Sequence, residues 1–272
     1  MAKTLEFPVL LRLIDERSVA FRAAVASAPS LDAQVPTCPE WTLRDLVRHL
    51  GGVQRSWAGI VTAGPADVRP DVTVSEAPRE RADLLAWSAE STEQLLGALR
   101  EFGPDRGCWT WWGGSRSPQT SGAVARHQVQ EAMVHTYDAE ITVGAPQPLP
   151  SEAALDGVDE FLSTCCAGTD PWPHEPAVVE YHATEGRSWR LSLSGDGARV
   201  TELLAPAAGT GEDAAGAILQ GTAGELVLAL YDRIPVNSLK VEGDPRLFDL
   251  LLAWDPTAQD LPTRAASSMP RS

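Results

Sequence analysis

Val124-Ala-Arg-His-Gln-Val-Gln-Glu-Ala-Met-Val-His-Thr-Tyr-Asp-Ala-Glu-Ile141 contains neither Gly nor Pro and repeats its apolar residues at helical spacing. The run therefore predicts one long helix. Glu131 and His135 are four residues apart in it, so their side chains lie one turn apart on the same face. A carboxylate and an imidazole in this arrangement are half of a metal site, but they are also a common ion pair on helix surfaces. The metal interpretation needs a third ligand from another part of the chain.

The best candidate for that ligand is His49, which lies in Pro36-Thr-Cys-Pro-Glu-Trp-Thr-Leu-Arg-Asp-Leu-Val-Arg-His-Leu50. Thr42 followed three residues later by Asp45 resembles a capping box and predicts that a helix begins near Leu43. His49 lies beside the apolar face of this helix, which carries Leu46, Leu50, Val53 and Trp57. A histidine at such a position is either a metal ligand or a core-edge side chain bonded to a carbonyl, and the helix alone does not decide between them.

Together these motifs resemble the mycothiol-dependent maleylpyruvate isomerase family. The resemblance is carried by residues 36–42, by Asp45-Leu-Val and His49-Leu50, and by Glu131, His135 and Asp138. It implies that the N-terminal part is a DinB-like four-helix bundle and that the C-terminal third is a sterol-carrier-like domain. It also implies a zinc ion held by one histidine of the second helix and by a glutamate and a histidine of the last helix. These ligands correspond to His49, Glu131 and His135, which we expect to bind zinc or another divalent metal.

Two more segments have the apolar spacing of long helices, 9–28 and 79–102. With the two helices above they predict an N-terminal all-α up-and-down four-helix bundle with a metal site between facing helices. The segment 144–151 contains three prolines and predicts a domain boundary. The predicted domains are a DinB-like metal-binding bundle at 1–146, a smaller α+β domain at 147–256, and a disordered tail at 257–272.

The sequence pattern changes beyond these prolines. Short alternating runs separated by Gly-containing turns predict three strands, at 177–184, 188–193 and 198–203. Helical spacing predicts three helices, at 152–165, 224–233 and 245–254. This mixture is typical of an α+β domain.

The composition excludes several classes of protein. A formal net charge of -15 and a pI of about 4.7 argue against binding to nucleic acid, which needs clustered Lys and Arg. Charged residues interrupt segment 9–28, which has neither a signal-peptide core nor a membrane-spanning length, so we expect a cytoplasmic protein without membrane association. The four cysteines show no paired metal spacing, and we expect them to be reduced. Nucleotide-binding glycine loops and a GxSxG elbow are absent from the sequence.

The ligand set indicates the chemistry. Two imidazoles and one carboxylate give zinc three protein donors, which is the open arrangement of a catalytic site. The position left free could take a thiol, and the charge of the metal would favour its nucleophilic thiolate form. The family resemblance implies that this thiol is mycothiol, a conjugate of cysteine, a sugar and inositol. The predicted function is therefore a mycothiol-dependent S-transferase or cis-trans isomerase that attacks a small electrophilic molecule.

Two alternatives to this function remain open. The same metal could activate water, which would make the protein a hydrolase. A metal-stabilised binding protein without turnover is the other alternative. Strict dependence of turnover on an added thiol would separate the predicted enzyme from a hydrolase.

Two residues of the long helix are candidates for supporting roles. His127 lies one turn before Glu131 and could be a fourth ligand, an orienting or proton-relay group, or an exposed side chain; we favour the orienting role. Asp138 matches a family residue and could hold an imidazole in its metal-binding tautomer. Its alternative is a surface charge near the end of the helix.

Trp111 and Trp112 belong to Gly107-Cys-Trp-Thr-Trp-Trp-Gly-Gly114, directly before the long helix. They either cap the core of the bundle, which is the simpler interpretation, or form an aromatic wall that binds the thiol cosubstrate. We expect the substrate pocket to open between the bundle and the C-terminal domain, with this loop near its mouth.

Arg233 is the last residue of the helix predicted at 224–233 in the C-terminal domain. The resemblance implies that this arginine serves catalysis, where a guanidinium could bind a carboxylate or the enolate formed as thiolate adds. The alternatives are a helix-end cation, which the helix macrodipole favours, and an ion pair with Asp232.

Overall fold

The computed structural model describes residues 4–203 and 214–254. The N-terminal part contains four long helices, α1 (Phe7–Ser27), α2 (Leu43–Ala63), α3 (Arg81–Phe102) and α4 (Ser121–Thr142). A two-stranded hairpin, β1 (Gln34–Val35) and β2 (Cys38–Thr42), precedes α2. The four helices predicted for this part are confirmed.

The four helices pack as a bundle. α1 packs on α3 and α4, and α2 packs on the same two helices. α2 and α3 approach closely at Gly51, where a Cβ atom would lie 2.2 Å from Cζ3 of Trp87. A shared core joins all four helices to the hairpin, with buried side chains that include Phe21, Val35, Leu46, Leu84 and Ala139. Because burying each large apolar side chain contributes about 1.5–3 kcal/mol, this core fixes the hairpin against the bundle.

The start of α2 is set by the predicted capping box. Oγ1 of Thr42 accepts the backbone N–H of Asp45 at 3.3 Å, and Oδ2 of Asp45 accepts the backbone N–H of Thr42 at 3.1 Å. These bonds satisfy two amide groups that the first turn of a helix leaves unpaired. The cap therefore fixes where α2 begins and places His49 in its second turn.

The C-terminal part contains a five-stranded sheet and short helices. Its helices are α5 (Ser151–Phe161), which continues in a π-helical turn (Leu162–Cys166), α6 (Ala223–Leu230) and α7 (Arg246–Ala253). Its strands are β3 (Ala177–Ala183), β4 (Ser188–Ser194), β5 (Gly197–Leu203), β6 (Ala217–Gly221) and β7 (Lys240–Gly243). The strands lie in the order β5-β4-β3-β6-β7, in which β3 and β6 are parallel and every other neighbouring pair is antiparallel.

The predicted fold class is confirmed: a four-helix bundle is followed by a smaller α+β part. The sheet contains β6 and β7 in addition to the three strands that alternation predicts. α6 ends at Leu230, earlier than the predicted helix 224–233. The reason is local, because Asp232 has a positive φ of 57° and a right-handed helix cannot continue through that conformation.

The chain divides into two compact units. One contains Leu5–Thr110 and Pro118–Leu149, and the other contains Trp111–Ser117 together with the described residues from Pro150 onward. The predicted boundary at residues 146 and 147 stays a prediction, and the predicted tail at 257–272 lies outside the described residues. In the described part of the chain, no helix combines the length and the apolar character needed to cross a membrane.

Candidate metal centre

α2 and α4 bring the three predicted metal ligands together. His49 comes from α2, whereas Glu131 and His135 come from α4. Oε2 of Glu131 lies 3.4 Å from Nε2 of His135 and 3.7 Å from Nε2 of His49. One donor atom of each residue lies within 4.8 Å of the others, and this is the one such group found among residues 4–203 and 214–254.

The spacing of these donor atoms suits a small divalent cation. Zinc binds nitrogen and oxygen at about 2.0–2.2 Å, so the ligands of a tetrahedral zinc ion lie roughly 3.3–3.6 Å apart. The two distances to Glu131 lie within or just above that range. Oε2 of Glu131 is buried and accepts no hydrogen bond from the described residues. A buried carboxylate oxygen normally has a hydrogen-bond partner, and a bound cation would satisfy this one instead. The three residues therefore fit a metal.

Asp138 orients the ring of His135. Nδ1 of His135 lies 2.8 Å from Oδ2 of Asp138. Because an ionised carboxylate cannot donate, Nδ1 carries the proton, and Nε2 is the nitrogen left to bind a metal. Asp138 is wholly buried, so the alternative of a surface charge near the helix end is wrong.

The hairpin before α2 contacts two residues of the centre, Asp138 and His49. Oγ1 of Thr37 donates to Oδ1 of Asp138 at 2.6 Å, and Sγ of Cys38 lies 3.9 Å from Oδ2. The ring of Trp41 packs 4.7 Å from that of His49. Sequence reasoning missed these contacts. The motif 36–42 carried the family resemblance, but nothing in its spacing indicated that it would meet a residue of α4.

The electrostatics of the centre attract positive charge. Burial by itself lowers the pKa of His135, but the hydrogen bond to Asp138 and the negative charges of Asp138 and Glu131 outweigh burial and raise this pKa to about 9. Burial by itself raises the pKa of Glu131, but His135 and His49 hold that pKa well below its ordinary value. Without a metal, an ionised carboxylate therefore lies beside a protonated imidazole. A divalent cation would replace the proton on Nε2 of His135, since metal binding and protonation compete for this nitrogen.

His127 is also close to the centre. It is buried, and its Nε2 lies 3.6 Å from Oε1 of Glu131. His49 and His135 approach the other carboxylate oxygen, Oε2. The structure thus brings His127 next to Glu131 but outside the three-donor group, and its orienting role stays a prediction.

The remaining predicted site residues lie in the C-terminal unit. Trp112 is wholly buried and Trp111 is half-buried, with their rings 5.1 Å apart at a right angle. Arg233 is half-buried, and its Nη1 donates to the carbonyl of Tyr231 at 2.7 Å, just beyond the end of α6. The roles of these three residues in cosubstrate binding and catalysis stay predictions.

The side-chain amide of Gln128, three residues before Glu131 on α4, forms no hydrogen bond within the described part of the chain, although a buried amide normally has partners. Its side chain is wholly buried, and neither Nε2 nor Oε1 has a hydrogen-bond partner among the described residues. Gln54 of α2 is equally buried, but both its Nε2 and its Oε1 have a hydrogen-bond partner. Its Nε2 donates to Oγ of Ser18 at 3.0 Å, and its Oε1 accepts from Oγ1 of Thr92 at 2.9 Å.

Replacing Gln128 with Met should stabilise the metal-free protein. The change removes an unpaired buried amide at nearly constant volume, so we expect the free energy of unfolding to rise by about 1–2 kcal/mol. Gln54→Met is the matched control and should lower it, because Ser18 and Thr92 would lose their partner. Denaturant unfolding of the three proteins measures both changes. A loss of stability in Gln128→Met would show that ordered water or another group bonds this amide.

Sequence comparison identifies the family. The family model described as "Mycothiol maleylpyruvate isomerase N-terminal domain" matches residues 11–140, and the "MDMPI C-terminal domain" matches residues 152–250. Fold and site together define a helical bundle with a candidate metal centre, joined to an α+β part. The chain belongs to the mycothiol maleylpyruvate isomerase family. A comparison with curated proteins gave no match.

Two solved structures resemble most of the chain. Both are crystal structures of the mycothiol-dependent maleylpyruvate isomerase, and the first is of a histidine-to-alanine mutant. Their TM-scores are 0.56 and 0.52, with sequence identities of 13% and 14%. Each match covers 89% of this chain and 96% of the other. At such low identity the likeness shows a shared fold.

Proposed function

We propose that the protein is a mycothiol-dependent zinc enzyme that presents a thiolate to a small electrophilic molecule, as an isomerase or an S-transferase. The observation that carries this proposal is the three-donor group of His49, Glu131 and His135 in a member of this family. Three protein donors leave one position for a further ligand, which is the arrangement of catalytic zinc. When bound, zinc would lower the pKa of a thiol in that position and favour its thiolate form.

The residues of the chain have separate tasks in this proposal. His49 and His135 would each offer Nε2 to the metal, and Glu131 would offer a carboxylate oxygen. Asp138 keeps the proton on Nδ1 of His135, 2.8 Å away, so that Nε2 stays available. His127, which lies 3.6 Å from Glu131, would hold that carboxylate in place or receive the proton that the thiol loses.

The isomerase and the S-transferase differ in the fate of the adduct. In both reactions the thiolate sulfur forms a bond to an electrophilic carbon, and the displaced electron pair moves onto a neighbouring carbonyl as an enolate. An isomerase allows rotation about the new single bond and then expels the thiolate. An S-transferase protonates the enolate and keeps the carbon–sulfur bond. The structural neighbours are isomerases, so maleylpyruvate is the first electrophile to test.

Thiol dependence tests the proposed function directly. Purified, zinc-loaded protein is incubated with maleylpyruvate in the presence and absence of mycothiol, and the products are identified by mass spectrometry. We expect turnover only when both are present. Recovery of free mycothiol indicates an isomerase, whereas a stable adduct indicates an S-transferase. Turnover that does not need the thiol would contradict the proposal and support a hydrolase.

Replacing Arg233 with Lys should slow the reaction at least about tenfold, because one charged hydrogen bond to a developing anion is worth about 1.5–3 kcal/mol. Lys retains the charge but loses the planar pair of donors that binds a carboxylate or an enolate. We expect unchanged zinc content and an unchanged fold. Arg199→Lys, at an exposed position of β5, is the matched control. Steady-state kinetics measure the effect, and unchanged rate constants in Arg233→Lys would leave this arginine as a helix-end cation that bonds the carbonyl of Tyr231.

A further inference from the structure

A cleft of about 660 Å³ opens in the bundle beside His49. It lies between the start of α2, the segment that leads into α3, and α3 itself. Its lining includes the side chains of Glu40, Trp41, Arg48, Glu76 and Trp87. All of these residues belong to the N-terminal unit.

His49 connects this cleft to the three-donor group. Its side chain is 22% exposed and forms part of the cleft lining. The side chains of Glu131 and His135 are only 9% and 3% exposed. A ligand that enters from the cleft therefore meets the donor group at His49, and the rest of that ligand remains in the cleft.

Three charged side chains of the cleft are available to a ligand, whereas the carboxylate of Asp45 is already bonded in the cap of α2. Glu40, Arg48 and Glu76 are exposed and form no hydrogen bond or ion pair with the described residues. Oγ of Ser75 already accepts the indole N–H of Trp87 at 3.0 Å, so its hydroxyl proton can still be donated. The cleft thus offers carboxylate acceptors and a guanidinium donor around one space.

The carboxylates and the guanidinium of the cleft indicate which chemical class of ligand can bind there. The three carboxylates of the lining, Glu40, Asp45 and Glu76, would repel an anion. A purely apolar ligand would leave the charges of Glu40, Arg48 and Glu76 without partners. A hydroxyl group donates to a carboxylate and accepts from a guanidinium, so a polyhydroxylated, uncharged group can satisfy both kinds of side chain. The half-buried ring of Trp41 adds an apolar surface on which the C–H face of a sugar ring can pack.

We propose that this cleft binds the sugar and inositol of mycothiol while its cysteinyl sulfur reaches the three-donor group past His49. The identity of the thiol rests on the proposed function. The chemical class of the bound group, an uncharged polyol, rests on the cleft alone. Glu40, Arg48 and Glu76 are its binding residues.

The first test measures binding without catalysis. N-acetylglucosaminyl-inositol, which lacks the thiol, is titrated calorimetrically into the protein and into the triple variant Glu40→Ala/Arg48→Ala/Glu76→Ala. We expect binding to the unaltered protein and at least tenfold weaker binding to the triple variant. Glu80→Ala, an exposed glutamate outside the cleft, is the matched control and should bind normally. No binding to the unaltered protein, or equal binding to both, would overturn the proposal.

The second test separates the cleft from the metal centre. We expect the triple variant to raise the KM for mycothiol at least tenfold and to leave the KM for N-acetylcysteine methylamide, a thiol without the polyol, within twofold. Equal weakening of both thiols, or a rise confined to the KM of the electrophile, would contradict the polyol site. If the polyol binds but turnover needs no thiol, the proposed function fails and the cleft assignment stands. If turnover needs mycothiol but the variant behaves normally, the cleft assignment fails and the proposed function stands.

Discussion

The His135→Ala protein will contain almost no zinc. The change removes a donor atom that lies 3.4 Å from Oε2 of Glu131 and leaves two protein ligands, too few for a stable zinc site. Elemental analysis after gel filtration should find about one zinc ion per chain in the unaltered protein and a small fraction of that in the variant. Thiol-dependent turnover should fall with the metal content.

The matched control for this change is His174→Ala, which removes an exposed histidine of the C-terminal unit. Its zinc content should equal that of the unaltered protein. His49→Ala should behave like His135→Ala, because it removes the ligand that α2 contributes. Full zinc occupancy in both His49→Ala and His135→Ala would overturn the assignment of the metal centre.

The Asp138→Ala protein should bind zinc about 10–100 times more weakly although every metal ligand remains, since partners that orient ligands typically contribute that much. Without the carboxylate, no acceptor holds the proton on Nδ1 of His135, and the ring can turn or change tautomer. Competition with a chelator of known affinity measures the dissociation constant. Circular dichroism should show an unchanged helix content.

Two further variants show how much the charge of Asp138 and its hydrogen bond from Thr37 each contribute to zinc affinity. Asp138→Asn keeps an acceptor oxygen but loses the charge, so its zinc affinity should lie between those of the unaltered protein and Asp138→Ala. Thr37→Val removes only the hydrogen bond from the hairpin to Oδ1 of Asp138 and should have the smallest effect. An unaltered dissociation constant in Asp138→Ala would show that Asp138 serves the packing of the hairpin and not the metal.

The sequence contains enough local information to predict the helices of the bundle. The spacing of Glu131 and His135 needs only the period of a helix, and the start of α2 follows from Thr42 and Asp45. Whether α2 would bring His49 to α4 depends on packing between distant segments, which no local pattern encodes. That assignment came from the family resemblance, and the structure places the three donor atoms within 4.8 Å of one another.

Other features could not be predicted because they depend on tertiary contacts. Thr37 and Cys38 reach Asp138 only after the hairpin has packed on the bundle. β6 is short and begins beside Gly216, so it has too few alternating residues to be recognised. The unbonded amide of Gln128 is visible only when its surroundings are known. In each case the residue type was ordinary and the neighbours determined its role.

The separation of the metal ligands along the chain has a consequence for synthesis on the ribosome. His49 emerges with α2, but Glu131 and His135 follow only after the whole of α3 has been made. A nascent chain that ends before α4 carries one of the three donors and cannot capture the metal firmly. Uptake of the proposed ion would therefore wait until α4 has joined the bundle. The ion would then connect the early and late parts of the N-terminal unit.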